Sequence, residues 1–133
     1  MSSKFGKDVK FLIQETIRGE VEVIIGGKRD PIFGPTIIFG IGGVLTELLK
    51  DFSLRICPVN KEEAREMVEE IRGFPLFIGY RGRSRLDTNP IIDVIIKVSR
   101  IMMENKDIIE LDINPLIVGK DGVTVVDGLI ILK

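Results

Sequence analysis

Residues 108–128 read Ile108-Ile109-Glu110-Leu111-Asp112-Ile113-Asn114-Pro115-Leu116-Ile117-Val118-Gly119-Lys120-Asp121-Gly122-Val123-Thr124-Val125-Val126-Asp127-Gly128. The fold turns on how this stretch pairs with itself. A four-residue loop from Gly119 to Gly122 sets Val118 opposite Val123. Counting back along the hairpin sets Asn114 opposite Asp127, and directly opposed residues hold their Cβ atoms about 4.5–5.5 Å apart. Strand alternation puts Glu110, Asp112 and Asn114 on one face and points Ile109, Leu111 and Ile113 to the core. Three oxygen-bearing side chains in a row are costly unless wet, paired or metal-bound. An amide oxygen and a carboxylate oxygen at cross-strand spacing can converge on one Mg²⁺, whose ligands lie at about 2.0–2.1 Å. A one-residue slip would separate them. Pro115 holds Asn114 extended. A solvated polar face is the simpler reading for Glu110 alone. For Asn114 with Asp127 the metal reading is preferred, because apolar residues surround the pair and Asn is a poor strand former.

The inventory of the 133 residues fits such a site. The chain has one cysteine, no histidine and a formal charge of -1. It is long enough for one domain with its own core. The charge balance gives no bulk attraction to nucleic acid or to an anionic membrane. The longest apolar run, residues 35–49, is broken by Gly40, Gly42, Gly43 and Glu47, so no membrane span is expected. The first eight residues lack a signal peptide's apolar stretch, which makes the cytoplasm the expected compartment. One cysteine excludes an intrachain disulfide and a Cys-rich zinc site. Without histidine, Ser-His and Cys-His nucleophiles and His-ligated zinc are excluded. Carboxylates, amides, Lys, Arg and backbone remain, a set suited to magnesium and phosphate. Abundant Ile, Glu, Lys and Arg with a single glutamine, Gln14, fit a thermophilic source.

Hydrophobic periodicity predicts strands at residues 9–14, 21–26, 36–39 and 52–57, with 44–49 ambiguous between helix and strand. Residues 28–35 read as a loop fixed by two prolines and a glycine. Asn60 followed by Glu63 predicts a capping box. The helix behind it has the stripe Ala64, Met67, Val68 and Ile71 and ends at Gly73. Residues 76–87 form a polar loop with Arg81, Arg83 and Arg85. A second helix starts near Asn89-Pro90, with the stripe Ile91, Ile92, Ile95, Val98 and Met102. Strands at 108–113, 116–118 and 123–127 and an apolar stretch at 129–132 follow. The pattern is α+β: a mostly antiparallel sheet packed with two main helices. It is not a Rossmann alternation, because hairpins join neighbouring strands where crossover helices would be needed.

Other segments are ambiguous taken singly. Phe39-Gly40-Ile41-Gly42-Gly43, with Glu47 after it, could bring backbone N–H groups to a phosphate, or could be a glycine bend between strands. Gln14-Glu15, followed by Gly19 and Glu22, could present polar groups to a purine edge, or could end a strand. Arg29-Asp30-Pro31 could hold a phosphate-reading arginine or a surface pair of little weight, and Arg55 carries the same ambiguity. Cys57 reads as a small core residue.

Together these words resemble the C-terminal half of an ATP-grasp domain, as found in the beta subunit of the ADP-forming acyl-CoA synthetases (acetate–CoA ligase, ADP-forming), kin of succinyl-CoA synthetase. The resemblance rests on Gln14-Glu15, Gly19 with Glu22-Val23, Arg29-Asp30-Pro31, Phe33-Gly34-Pro35, Phe39-Gly40 with Gly42-Gly43 and Glu47, Glu63-Ala64 with Met67, Glu110 to Leu116, and Val126-Asp127-Gly128. It implies that Gln14, Glu15, Thr16 and Ile17 form the hinge that holds adenine and that Glu22 reaches the ribose. Asn114 and Asp127, with Asp112 beside them, would bind the Mg²⁺ that bridges the phosphates of ATP or ADP. Gly42, Gly43 and Arg29 would lie near the phosphates or the phosphoryl acceptor. The implied reaction is acyl-CoA + ADP + phosphate ⇌ carboxylic acid + CoA + ATP, through an acyl phosphate and a phosphohistidine relay. The resemblance also implies partners. The chain starts just before the hinge strand, so an ATP-grasp N-terminal half and a CoA-binding alpha subunit or domain are expected from elsewhere. Self-association through the surface left bare is expected too. The alternative is a non-catalytic remnant or docking module of the same fold.

Overall fold

The first described strand, β1 (Val21–Asp30), alternates sides and so fixes which face of the sheet is the core. Val21, Val23 and Ile25 are buried on one face. In the computed structural model, which describes residues 20–42, 51–79 and 85–133, β1 is an inner strand of a six-stranded antiparallel sheet. The order is β3 (Phe52–Ile56), β2 (Gly34–Ile41), β1, β4 (Ile108–Gly119) and β5 (Gly122–Val125). β6 (Gly128–Leu132) also pairs with β4 and continues the edge that β5 begins. Helices α1 (Lys61–Glu70) and α2 (Asn89–Glu104) pack on the sheet. The α+β architecture read from the sequence is the one observed. The expected strand at 9–14 and the stretch 44–49, ambiguous between helix and strand, lie outside the described residues. Among those described, no helix is long and apolar enough to cross a membrane.

β1 runs four residues past its expected end. Gly27 and Lys28 are each paired on both sides, with β2 and with β4, and a doubly paired inner strand tolerates polar residues that its own propensity would not favour. The expected loop at 28–35 shrinks to a tight turn at 31–33. Asp30 Oδ1 closes it by accepting the N–H groups of Ile32 and Phe33 at 2.8 and 2.9 Å. Gly34 leaves the turn at φ 76°, where a side chain would be strained. The two N–H groups, Phe33 first, hold the Asp30 carboxyl below its ordinary value. Its stabilisation is therefore complete above the unfolded carboxylate range and is lost as pH falls through the lower folded value. Asp30→Asn is expected to lower stability near neutrality and to approach wild type at acid pH, where the carboxyl is protonated, so that the acid limb of stability flattens; urea melts at stepped pH would measure this.

The capping box forms as read: Asn60 Oδ1 accepts from Glu63 N at 2.8 Å, and Glu63 Oε1 accepts from Asn60 N at 3.1 Å. Asn60→Ala is expected to cost about 1 kcal/mol in a denaturant melt. The helix ends at Glu70, short of the expected Gly73, because another group captures two amides just beyond its C-cap, Ile71. Buried Asp51 accepts Arg72 N at 2.6 Å and Gly73 N at 2.7 Å, which turns the chain out of the helix. α2 starts at Asn89 with Pro90 in its first turn and buries its whole expected stripe. Arg55 pairs with Glu70, tying β3 to α1, and is resolved in favour of the surface pair.

Phe39, Met67, Ile92, Ile95 and Met102 are fully buried in the core between sheet and helices, each contributing about 1.5–3 kcal/mol by leaving water. α2 sits directly on bare backbone at Gly27, where an added Cβ would come within 2.6 Å of Met102 Cγ. Cys57 is the buried core residue expected, and burial pushes its thiol pKa up. One expected core position differs. Leu111 is buried, but Ile109 is 38 % exposed and Ile108 is buried in its place. The β4–β6 register shifts between Ile108 and Glu110, and this irregularity turns Ile109 outward.

Candidate functional site

The hairpin register is the one counted from the sequence. Val118 pairs with Val123 and Gly119 with Gly122. The same register carries through to Ile113 with Gly128, so Asn114 and Asp127 stand opposite one another. Asn114 N donates to Asp127 O at 3.1 Å and Val126 N to Pro115 O at 3.1 Å, which fixes the pair across the gap between β5 and β6. The Asn114–Pro115 peptide is cis. Both Asn114 and Asp127 are exposed. Asp127 Oδ1 accepts from Gly128 N at 2.8 Å.

Asp112 lies two residues before Asn114 on β4 and is partly buried. Burial raises its carboxyl pKa, and the charges of Glu110 and Asp127 push it further the same way. Asp127 therefore acts on Asp112 through space, and the two acids crowd one region with a charge that a cation would relieve. Among the described residues no three acidic, cysteine or histidine groups converge closely enough to hold a metal alone. An amide with one or two carboxylates still fits Mg²⁺, which is commonly bound by one or two carboxylates plus substrate phosphates and keeps several waters.

Beside Asp112 a cleft of about 260 Å³ opens on the sheet. Gly26 and Gly27 line it with Lys28, Thr36, Ile38, Leu54, Glu110 and Asp112. Thr36 Oγ1 donates to Lys28 O at 2.9 Å across the β1–β2 ladder. Gly26 helps keep the cleft open: an added Cβ would sit 3.3 Å from Ile38 Cγ2 and 3.5 Å from Asp112 Oδ1. Lys28 and Thr36 were not among the residues singled out by sequence. Extending β1's alternation past Gly26 would have found Lys28, since it shares a face with Glu22 and Gly26.

The remaining expected residues divide. Glu22 is buried on β1, and its backbone oxygen accepts from Gly42 N at 2.9 Å. Gly42 is packed against β1, where a Cβ would meet Val23 C at 3.2 Å. Gln14, Glu15, Thr16, Ile17, Gly43, Arg81 and Arg83 lie outside the described residues. Arg29 is corrected. Its Nε donates to Ile108 O at 3.0 Å, and its Nη2 donates to Met102 O at 2.8 Å and Asn105 O at 3.0 Å. Those carbonyls belong to the end of α2, the residue after it and the start of β4. Arg29 shares a face with the core residues Val23 and Ile25, away from Asp112, so the guanidinium holds the α2–β4 corner instead of reading phosphate.

The antiparallel sheet backed by two helices matches an ATP-grasp subdomain of solved relatives, and the chain belongs to the ATP-grasp domain family, whose pattern matches residues 6–132. Among curated relatives, the acetate–CoA ligase [ADP-forming] I subunit beta of Pyrococcus furiosus is 43 % identical over 111 residues, covering 84 % of this chain and 48 % of that protein. The corresponding II subunit beta is 43 % identical over 125 residues, covering 92 % and 53 %. Among solved structures, the dinucleotide-forming acetyl-coenzyme A synthetase 1 of Ca. Korarchaeum cryptofilum, in complex with coenzyme A and Mg-AMPPCP, superposes with a TM-score of 0.82 at 45 % identity. That match covers 85 % of this chain and 53 % of that one. The chain spans about half the length of these subunit-beta relatives.

Proposed function

We propose that the chain is the Mg-ATP/ADP-binding part of an ADP-forming acyl-CoA synthetase beta subunit, working with complementary chains in the cytoplasm. The carrying observation is the opposition of Asn114 and Asp127 on adjacent antiparallel segments, with Asp112 beside them. These three residues would hold Mg²⁺, which when bound neutralises charge on the nucleotide phosphates. Gln14, Glu15, Thr16 and Ile17 would hold adenine, Glu22 would reach the ribose, and Gly42 and Gly43 would lie near the phosphates. Lys28, at the cleft beside Asp112, adds a cation on the phosphate side. A solved relative that binds Mg-AMPPCP and coenzyme A supports the ligand set. The reaction served would be phosphoryl transfer between nucleotide and a phosphohistidine or acyl phosphate on partner chains, with an ATP-grasp N-terminal half and a CoA-binding alpha subunit completing the enzyme.

Calorimetry tests the reading. The isolated chain is expected to bind Mg-ATP only weakly, because half the phosphate contacts belong to the complementary half. The reconstituted complex is expected to bind it tightly. Micromolar binding by the chain alone, or no gain on reconstitution, would overturn this division of labour.

A further inference from the structure

Among the described residues, β6 is an edge strand without the usual protection. Leu129, Ile130 and Leu132 are 56 %, 56 % and 59 % exposed, and Ile131 is 39 % exposed. No charge, proline or irregularity of its own interrupts Gly128–Leu132, the devices by which edges usually avoid pairing. Its outward hydrogen-bonding groups can be identified. Asp127 O accepts from Asn114 N, and Lys133 N donates to Asp107 O at 3.0 Å. Antiparallel alternation between these points directs the odd-numbered residues' backbone groups to β4 and turns those of Ile130 and Leu132 away from the sheet. The outward N–H of Gly128 is already taken by Asp127 Oδ1.

We propose that a second copy of this chain docks antiparallel along the outer edge of β6, with the two-fold axis passing beside Ile130. In this register Ile130 faces Ile130, Leu129 faces Ile131, and Gly128 faces Leu132 of the second copy. The outward groups of Ile130 meet their own equivalents and Leu132 N meets Gly128 O, so the backbone pattern is self-complementary except at Leu132 O, whose facing donor, Gly128 N, is held by Asp127. The charges agree: Asp127 of each copy comes opposite Lys133 of the other, at both ends of the paired segment and on one face of the sheet. A register shifted by one residue would oppose inward-bonded to outward-facing groups and lose both features. The inference goes beyond nucleotide binding; because the Asp127 carboxylate is also the proposed Mg²⁺ donor, the pairing belongs to the metal-free chain.

Sedimentation velocity and cysteine cross-linking of the 133-residue chain test it. The wild-type chain is expected to show a concentration-dependent dimer. Ile130→Pro removes an outward donor while sparing the bonds to β4, and is expected to weaken the dimer at least about tenfold. Under mild oxidation, Ile130→Cys is expected to cross-link at least about tenfold faster than Leu129→Cys or Ile131→Cys. Facing residues put their Cα atoms about 5.5 Å apart, within disulfide range, whereas the other two are offset to about 7–8 Å or beyond. Cys57 is buried and does not compete. Equal cross-linking at 129, 130 and 131, or a monomer up to about 1 mM, would overturn the proposal.

Discussion

Asp127→Ala, assembled with the complementary ATP-grasp half, loses Mg-dependent nucleotide affinity by about 100-fold or more, while its melt stays close to wild type. The size follows from the donor set. Even a group that only orients a metal ligand typically matters 10–100-fold, and Asp127 is here the charged member of the pair. The small structural effect follows from its place: it is exposed, and its side chain accepts the N–H of Gly128, one hydrogen bond worth about 0.5–1.5 kcal/mol. Asn114→Ala moves in the same direction by less, since a neutral amide oxygen is the weaker ligand for a hard cation. Chelation supplies the control. Removing Mg²⁺ should bring the wild-type complex down to the level of Asp127→Ala and leave the variant nearly unchanged. Unfolding of the variant would assign the residue a structural role, and unchanged affinity would remove it from the site.

Arg29→Met costs about 3 kcal/mol of unfolding free energy, measured by urea denaturation. Three backbone oxygens lose a charged donor where α2 ends and β4 begins, and hydrogen bonds to charged groups are each worth about 1.5–3 kcal/mol without being additive. Methionine keeps much of the apolar stem, so the change isolates the guanidinium. Arg29→Lys recovers little, because one ammonium cannot reach the separated acceptors as the planar fork does. Nucleotide affinity per folded molecule is expected to be unaffected. Weakened nucleotide binding with unchanged stability would return Arg29 to the phosphates.

What was legible in the sequence was local. The cap at Asn60 and Glu63 is written within four residues, and the hairpin register within the ten between Val118 and Asp127. Both could be counted because a turn or a cap fixes the geometry. The end of β1 was hidden because Lys28, Arg29 and Asp30 look like loop residues, and only pairing with β2, and for Lys28 with β4 as well, makes a strand of them. Arg29 was misread for a related reason: its acceptors lie 73, 76 and 79 residues away in the chain. No spacing rule joins a guanidinium to backbone oxygens at that distance. Asp51 is a parallel case, since its acceptor role ends α1 from 21 and 22 residues upstream.

The contact of Met102 with the bare backbone of Gly27 reaches into protein engineering. It makes the two positions a unit: any side chain at 27 requires a smaller or displaced side chain at 102. A chimera that takes β1 from one homologue and α2 from another would break that match unless both parents carry it. Crossover points are therefore best set outside residues 21–104, so that strand and helix come from a single parent.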